Sequence, residues 1–317
     1  MNRVDKIAVC SRSFSRNLTL RNELLSRFSQ VKFNDDGLSL NGDSLVDFLS
    51  EADGAIIALE YLTEEILSRL PNLKFVGKYG VGLDKIDLDA MENNNIKLGW
   101  TPGVNSTSVA ELTLAMALSI VRKIPASQEV VAKGDWKQVI GKQLSSLNVG
   151  IIGFGHVGKK VADRMNAFGC KVYAHDIENY NDMMIDKNVT PVSLQTLFKE
   201  CDLVSIHVPH NKSTHHLVST DQISTMKAGS YIICTARGGI IDEDALLEAL
   251  NSGQITAAAL DVFEVEPPIS TPLINNDKVL VTSHIGGSTE EAILAMGQAA
   301  INGLEVNQSA LEFKKHL

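Results

Sequence analysis

The segment Leu147-Asn-Val-Gly-Ile-Ile-Gly153-Phe-Gly155-His-Val-Gly158 restricts this chain more than any other stretch. It reads as a strand, a glycine-rich turn and the start of a helix, in that order. Gly153 permits a tight turn, Gly155 lets the backbone approach a pyrophosphate, and Gly158 lets the helix pack closely on the strand. The amino end of the helix offers unpaired N–H groups and a positive dipole end to the phosphates. The next strand, Cys170–His175, leads to Asp176, where a carboxylate is expected to meet the ribose hydroxyls. A glycine-rich turn alone has a purely structural reading. Strand, turn, helix and acid in register favour dinucleotide binding. Ile177 and Glu178 follow Asp176, with no arginine or lysine nearby to take a 2′-phosphate, so the expected cofactor is NAD rather than NADP.

Short apolar runs alternate with helical patterns along most of the chain, which predicts an α/β fold with parallel sheets. The first series of strands is read near Lys6–Cys10, Val31–Phe33, Gly54–Leu59, Leu73–Tyr79 and Ile96–Trp100. The second runs through Leu147–Ile152, Cys170–His175, Leu203–Val208, Tyr231–Cys234, Ala257–Phe263 and Val279–Ser283. Two doubly wound parallel-sheet domains are therefore expected, and 317 residues exceed what one core usually supports. No Pro/Gly/Ser-rich linker separates them. Instead Val109–Lys133 reads as a long helical stretch, bent or broken at Pro125, and a second helix runs from Thr289 to about Ala310.

Composition excludes several functions. A net charge of -9 argues against nucleic acid or a membrane surface as partner, since both call for a basic footprint. Cys10, Cys170, Cys201 and Cys234 are scattered, without zinc spacing, so no metal is expected and buried thiols in a reducing compartment are. Arg3, Asp5 and Lys6 precede any apolar run, which speaks against a signal peptide. The apolar stretch Val109–Val121 contains Glu111 and is too short to span a bilayer. A cytoplasmic location is expected.

Three polar residues follow the carboxyl ends of three strands in the nucleotide-binding unit: Arg237, Glu266 and His284. In an open parallel sheet this edge lines the ligand crevice. Reduction of a 2-oxo acid needs a cation for the carboxylate and a proton donor for the carbonyl oxygen. The planar guanidinium of arginine pairs bidentately with a carboxylate and keeps its charge. Histidine titrates near operating pH, and an adjacent carboxylate favours the imidazolium and orients the ring. Each residue also has a structural reading, as a surface ion pair, a solvated loop acid or a core histidine. Their grouping at one sheet edge beside a cofactor fingerprint favours catalysis.

At these residues the sequence resembles the D-isomer-specific 2-hydroxyacid dehydrogenase family, particularly its phosphoglycerate dehydrogenase branch. The matching segments are Lys78-Tyr-Gly-Val-Gly-Leu-Asp84, Thr101-Pro-Gly-Val-Asn105 running on to Val109-Ala-Glu111, and Gly153–Gly158. Further along come Thr235-Ala-Arg-Gly-Gly239 with Ile241-Asp-Glu243, Leu260-Asp-Val-Phe263 with Glu266-Pro267, and Ser283-His-Ile-Gly-Gly287. The resemblance implies hydride transfer between a nicotinamide and C2 of a D-2-hydroxy acid, with Arg237, Glu266 and His284 as catalytic residues. It implies cofactor contacts from Gly153, Gly155, His156, Val157, Gly158, Asp176, Val208, Thr235, Asp261 and Gly287. Substrate contacts would come from Lys78, Tyr79, Gly80, Val81, Gly82 and Asn105, together with Arg237 and His284, the Gly80–Gly82 backbone meeting the substrate carboxylate.

The same resemblance implies a flavodoxin-like substrate domain, residues 1–100 and 288–317, with a Rossmann NAD domain, 101–287, inserted between. The crossing helices act as hinges and the cleft closes over substrate. A homodimer is expected, built around the helical stretch after Asn105 and the segment Lys133-Gly-Asp-Trp136.

Two departures bear on function. Where some phosphoglycerate dehydrogenases carry an arginine after the third strand, this chain has Ala58-Leu59-Glu60, and from its end near the closing helix no regulatory carboxy-terminal domain is expected. Glu266 disfavours a formate dehydrogenase, which carries glutamine there. The leading substrate is D-3-phosphoglycerate, its phosphate held by Ser11-Arg12-Ser13-Phe14-Ser15 and Lys78. A helix cap at Ser13 or Ser15 with a solvated Arg12 is the structural alternative. Hydroxypyruvate or glyoxylate reduction is the rival, and an NAD-sensing corepressor-like binding protein the alternative of another class.

Overall fold

The computed structural model describes residues 5–316; Arg3, read above as part of the charged amino terminus, lies outside them. The chain divides into two compact units, Met1–Asn105 with Gly287–Leu317, and Ser106–Gly286. In the first, β1 (Lys6–Val9), β2 (Gln30–Phe33), β3 (Gly54–Ile57), β4 (Phe75–Lys78) and β5 (Lys97–Gly99) form one sheet in the order β2-β1-β3-β4-β5. This is the flavodoxin-like order, in which the winding reverses between β1 and β3. The second contains β6 (Asn148–Ile152), β7 (Lys171–His175), β8 (Val189–Pro191), β9 (Leu203–Ile206), β10 (Ser230–Cys234), β11 (Ile255–Leu260) and β12 (Val279–Val281). Their order, β12-β11-β10-β9-β6-β7-β8, is a Rossmann arrangement with one added strand, reversing between β6 and β9. Every pairing between these strands is parallel.

Central strands are buried along their whole length, as with Gly54–Ile57, Leu203–Ile206 and Ser230–Cys234. That is why they read as continuous apolar runs rather than alternating ones. Alternate side chains still enter different cores. In the first unit Ala8, Ala55 and Val76 face Leu45, Leu49 and Leu67, while Ile7, Val9 and Ile56 face Leu20, Leu24 and Ala300.

The strands end earlier than their apolar runs. β3 stops at Ile57 rather than Leu59, and β11 at Leu260 rather than Phe263. After β11, Val262 and Phe263 stay buried although pairing has stopped, whereas after β3 the chain comes to the surface and Leu59 is exposed. β8 escaped the sequence reading, because a three-residue edge strand ending in Pro191 carries little apolar pattern.

The long helical stretch is two helices, Ser106–Val121 and Ile124–Ala132. The break falls at Lys123, in the left-handed region at φ 54, and not at Pro125. Pro125 lies in the first turn of the second helix, where a missing N–H costs nothing. The last helix, Glu290–Glu305, also stops short of Ala310. Leu98 and Gln308 exchange backbone hydrogen bonds at 2.9 and 3.1 Å, drawing the chain out of helix. Among the described residues no helix is long and apolar enough to cross a membrane.

Glu290–Glu305 lies on β4 and β5 through glycines. A Cβ on Gly99 would stand 2.1 Å from the Gly303 carbonyl oxygen, and one on Gly77 2.2 Å from that of Ala300. Backbone cannot rotate out of the way as a side chain can. Gly99→Val should therefore destabilise the protein by about 3 kcal/mol in urea unfolding. A loss below about 1 kcal/mol would show that the helix is not seated this closely.

Candidate active site

The second unit builds a cradle where β6 turns into the helix His156–Ala167. Gly153, at φ 93, makes the turn, and a Cβ there would meet the His207 carbonyl oxygen at 2.7 Å and Val208 Cγ1 at 2.8 Å. A Cβ on Gly158 would lie 1.9 Å from the Gly153 carbonyl oxygen, so this position must be bare for the helix to approach. Gly155 differs. Nothing lies within 4 Å of its Cβ position, and no side chain caps the helix. The open space and uncapped N–H groups fit a pyrophosphate. His156 is exposed and Val157 half-buried beside it.

Asp176 follows β7 but its oxygens are engaged: Oδ2 accepts from the Phe154 N–H at 2.5 Å and Oδ1 from the Glu178 N–H at 2.9 Å. The carboxylate thus also ties the glycine turn to the end of β7, a role that sequence order did not suggest. Lys159, in the first turn of the same helix, lies over the Tyr180 ring at 4.1 Å. Thr235, buried after β10, pairs its hydroxyl with Thr113 at 3.0 Å.

Register places the three candidate side chains. Cys234 pairs with Leu260 and Leu260 with Val281, so the loops after β10, β11 and β12 leave the sheet side by side. The buried Asp261 uses both oxygens on the last of them. Oδ1 accepts from the Thr282 hydroxyl at 2.5 Å and the Ile285 N–H at 2.8 Å, and Oδ2 from the Gly286 N–H at 2.8 Å. Between these anchors His284 sits at φ 55. Its Nδ1 meets Glu266 Oε2 at 2.8 Å, while Glu266 Oε1 accepts from the Phe263 N–H at 3.2 Å.

Arg237 is half-buried and donates to the Ala236 carbonyl at 2.7 Å. The adjacent Gly238 lets its loop touch the Glu266 loop, since a Cβ there would fall 1.8 Å from the Phe263 carbonyl oxygen. Partial burial is the largest influence on the Glu266 carboxyl and works to raise it. The hydrogen bond and charge of His284, the Phe263 N–H and the charge of Arg237 together hold it below the ordinary glutamate value. Arg237, Glu266 and His284 therefore form one electrostatic group.

Lys78, Tyr79, Gly80, Val81 and Gly82 belong to the first unit, at the carboxyl end of β4. Gly80 adopts φ 110. The buried Lys78 ammonium reaches the Ala58 carbonyl and the Tyr79 carbonyl, the latter at 3.2 Å. Ser13 donates to the Tyr79 hydroxyl at 3.2 Å, and burial pushes that phenol up. Ser11, rather than Ser13 or Ser15, caps the helix Arg12–Arg16, and Arg12 is exposed. Glu60 Oε2 accepts from the Ala58 N–H at 2.7 Å. Asn105 Oδ1 is buried without a hydrogen-bond partner, and a Cβ on Gly287 would lie 3.0 Å from its Nδ2. Among the described residues no group of three or more His, Cys, Asp or Glu is placed to hold a metal.

Residues 114–286 match the model of the D-isomer specific 2-hydroxyacid dehydrogenase NAD binding domain. A hydroxypyruvate reductase of Thermotoga maritima is 41% identical over 81% of this chain and 85% of the relative. A D-3-phosphoglycerate dehydrogenase of Methanocaldococcus jannaschii is 37% identical over 81% of this chain, which spans 50% of that longer protein. Among solved structures, a D-lactate dehydrogenase from Aquifex aeolicus, complexed with NAD and lactic acid, superposes with a TM-score of 0.84 at 30% identity. That match covers 95% of this chain and 94% of the other. The chain belongs to the D-isomer-specific 2-hydroxyacid dehydrogenase family. Its reaction is the NAD-dependent interconversion of a D-2-hydroxy acid and the corresponding 2-oxo acid.

A carboxyl with a depressed pKa contributes stability above its unfolded value and loses it as pH falls through the folded value. The stability advantage of the native protein over Glu266→Gln should accordingly shrink as pH falls from about 5 to about 3. Urea titrations across that range measure it. A difference that does not vary with pH would mean that the carboxylate gains nothing from His284 and Arg237.

Proposed function

We propose that this enzyme reduces a small unphosphorylated 2-oxo acid, hydroxypyruvate or glyoxylate, with His284 as proton donor. The observation that carries the catalytic part is the 2.8 Å contact between His284 Nδ1 and Glu266. Glu266 orients the ring through Nδ1, leaving Nε2 to address the substrate oxygen. In the reductive direction His284 donates a proton to the oxygen on C2; in the oxidative direction it removes one from the hydroxyl. Arg237 pairs with the substrate carboxylate and polarises the carbonyl. In the first unit, Gly80, Val81, Gly82 and Asn105 are the residues that the family resemblance assigns to the substrate. Gly153–Gly158, Asp176, Val208, Thr235 and Gly287 would hold NAD, which when bound would supply the hydride acceptor or donor; Asp261, implied by the family resemblance as a further contact, spends both carboxylate oxygens on the loop after β12.

The choice against a phosphate rests on Lys78, whose ammonium is buried against two carbonyls instead of standing at the crevice edge. Glu60 also places a negative charge beside Ala58, where a phosphate would be repelled. The exposed Arg12 beside Ser11 and Ser13 favours the second reading, oxidation of D-3-phosphoglycerate.

We place the enzyme in the cytoplasm, in keeping with four free, buried cysteines. We also read it as a homodimer. The helix Ile124–Ala132 has no buried residue, and Trp136 and Ile140 beyond it are 91% and 83% exposed. Apolar surface of this kind is what a subunit interface covers.

Steady-state rates with NADH against glyoxylate, hydroxypyruvate and phosphohydroxypyruvate test the reading. The unphosphorylated acids should have the higher kcat/KM, and preference for phosphohydroxypyruvate would restore the second reading. His284→Ala should lose about 10²–10⁴ in turnover with each of them while NADH affinity holds. Near-normal turnover in that variant would remove His284 from the chemistry.

A further inference from the structure

Arg237 and Glu266 stand on separate loops, and apolar packing alone does not position the Arg237 loop. Beneath it lies a small cavity lined by Cys234, Arg237, Gly239, Glu243, Leu260 and Val262, among others. Polar ties run to both loops from one residue outside them, His216. Its backbone N–H donates to the Gly239 carbonyl at 2.8 Å, two residues beyond Arg237. The pairing continues as the Val218 N–H reaches the Ile240 carbonyl at 3.1 Å and the Asp242 N–H reaches the Val218 carbonyl at 3.0 Å. The His216 ring turns the other way. Nε2 meets Glu264 Oε1 at 2.9 Å, two residues before Glu266, and Nδ1 lies 3.8 Å from Asp242 Oδ2. Glu264 is held a second time, by its own N–H to Glu243 Oε1 at 2.7 Å. His215 stacks on His216 at 4.0 Å and fixes the ring plane, and His215 is bonded in turn to His210 at 3.2 Å.

We propose that His216 is a positioning residue for the reaction, joining the Arg237 loop to the Glu266 loop through Glu264. It acts through Glu264 and the Gly239 carbonyl. It sets the distance between the cation that holds the substrate carboxylate and the carboxylate that orients His284. A misplacement of about 1 Å in such a set costs on the order of 10² in rate. The inference rests on the roles given above to Arg237 and Glu266. It is separable from them, since Glu264 has no part in that chemistry.

The test is a double-mutant cycle with His216→Leu and Glu264→Ala, and with His216→Gln as the conservative variant whose amide N–H still reaches Glu264. The substrate is the 2-oxo acid that the native enzyme reduces fastest. His216→Leu and Glu264→Ala should each lower kcat by about 10- to 100-fold, with the dissociation constant for NADH, read by fluorescence, changed less than about twofold. The double variant should be no worse than the weaker single one, because both remove the same tie. His216→Gln should recover most of kcat. Unchanged kcat in Glu264→Ala, multiplying losses in the double variant, or no recovery with glutamine would each overturn the proposal. Should His216→Leu fail to fold, Glu264→Ala and His216→Gln still decide it. Loss of activity in His284→Ala alone bears only on the catalytic assignment.

Discussion

The buried carboxylate of Asp261 is the constraint on which the active-site edge depends. Its oxygens take two backbone N–H groups and one hydroxyl from the loop after β12, all at or below 2.8 Å. Hydrogen bonds to a charged acceptor contribute about 1.5–3 kcal/mol each. A left-handed backbone at a non-glycine residue costs about 1–2 kcal/mol. The anchors therefore outweigh the strain at His284, φ 55, and the ring is held against Glu266 instead of relaxing into an extended loop. With Asp261 removed, the buried Gly286 N–H and the partly buried Ile285 N–H would lose their acceptor while the strain remained.

Sheet register delivers Asp261 to that position. Leu260 pairs with Val281, so the next residue on each strand, Asp261 and Thr282, leave the edge together. The β10–β11 register does the same for the Arg237 loop, and the bare Cα of Gly238 lets it reach Phe263. A parallel sheet sends all its carboxyl ends to one edge. Chemistry assembled from residues distant in sequence then needs only local loops to complete it, and here the loops are pinned by Asp261, Gly238 and His216.

What could be read in the sequence follows from the range of each interaction. The glycine turn at 153–158 is local, and the reason read for Gly158, close helix-to-strand packing, is the one the geometry exhibits at 1.9 Å. Two parallel sheets were legible because alternating strand and helix patterns leave few other architectures. The strand orders followed only from the family resemblance, which implies flavodoxin-like and Rossmann domains, and the edge strand β8 was not legible at all. Order is set by crossovers that no local pattern records, and Val189–Pro191 buries too little to leave one. At the site, Arg237, Glu266 and His284 stood out because each follows an apolar run. The engagements of Asp261, Lys78 and His216 did not, since each partner lies more than fifteen residues away or, for Tyr79, on the peptide that follows. A lysine at a strand end looks the same in sequence whether its ammonium meets a ligand or the Ala58 carbonyl.

The central claim, that His284 held by Glu266 moves the proton, is tested most directly by following kcat/KM against pH in both directions of the reaction. One ionisation should govern both profiles. Reduction of the 2-oxo acid should fall as pH rises through it, and oxidation of the D-2-hydroxy acid should fall as pH drops through the same value. Profiles that move in the same sense, or that show no shared inflection, would contradict the account.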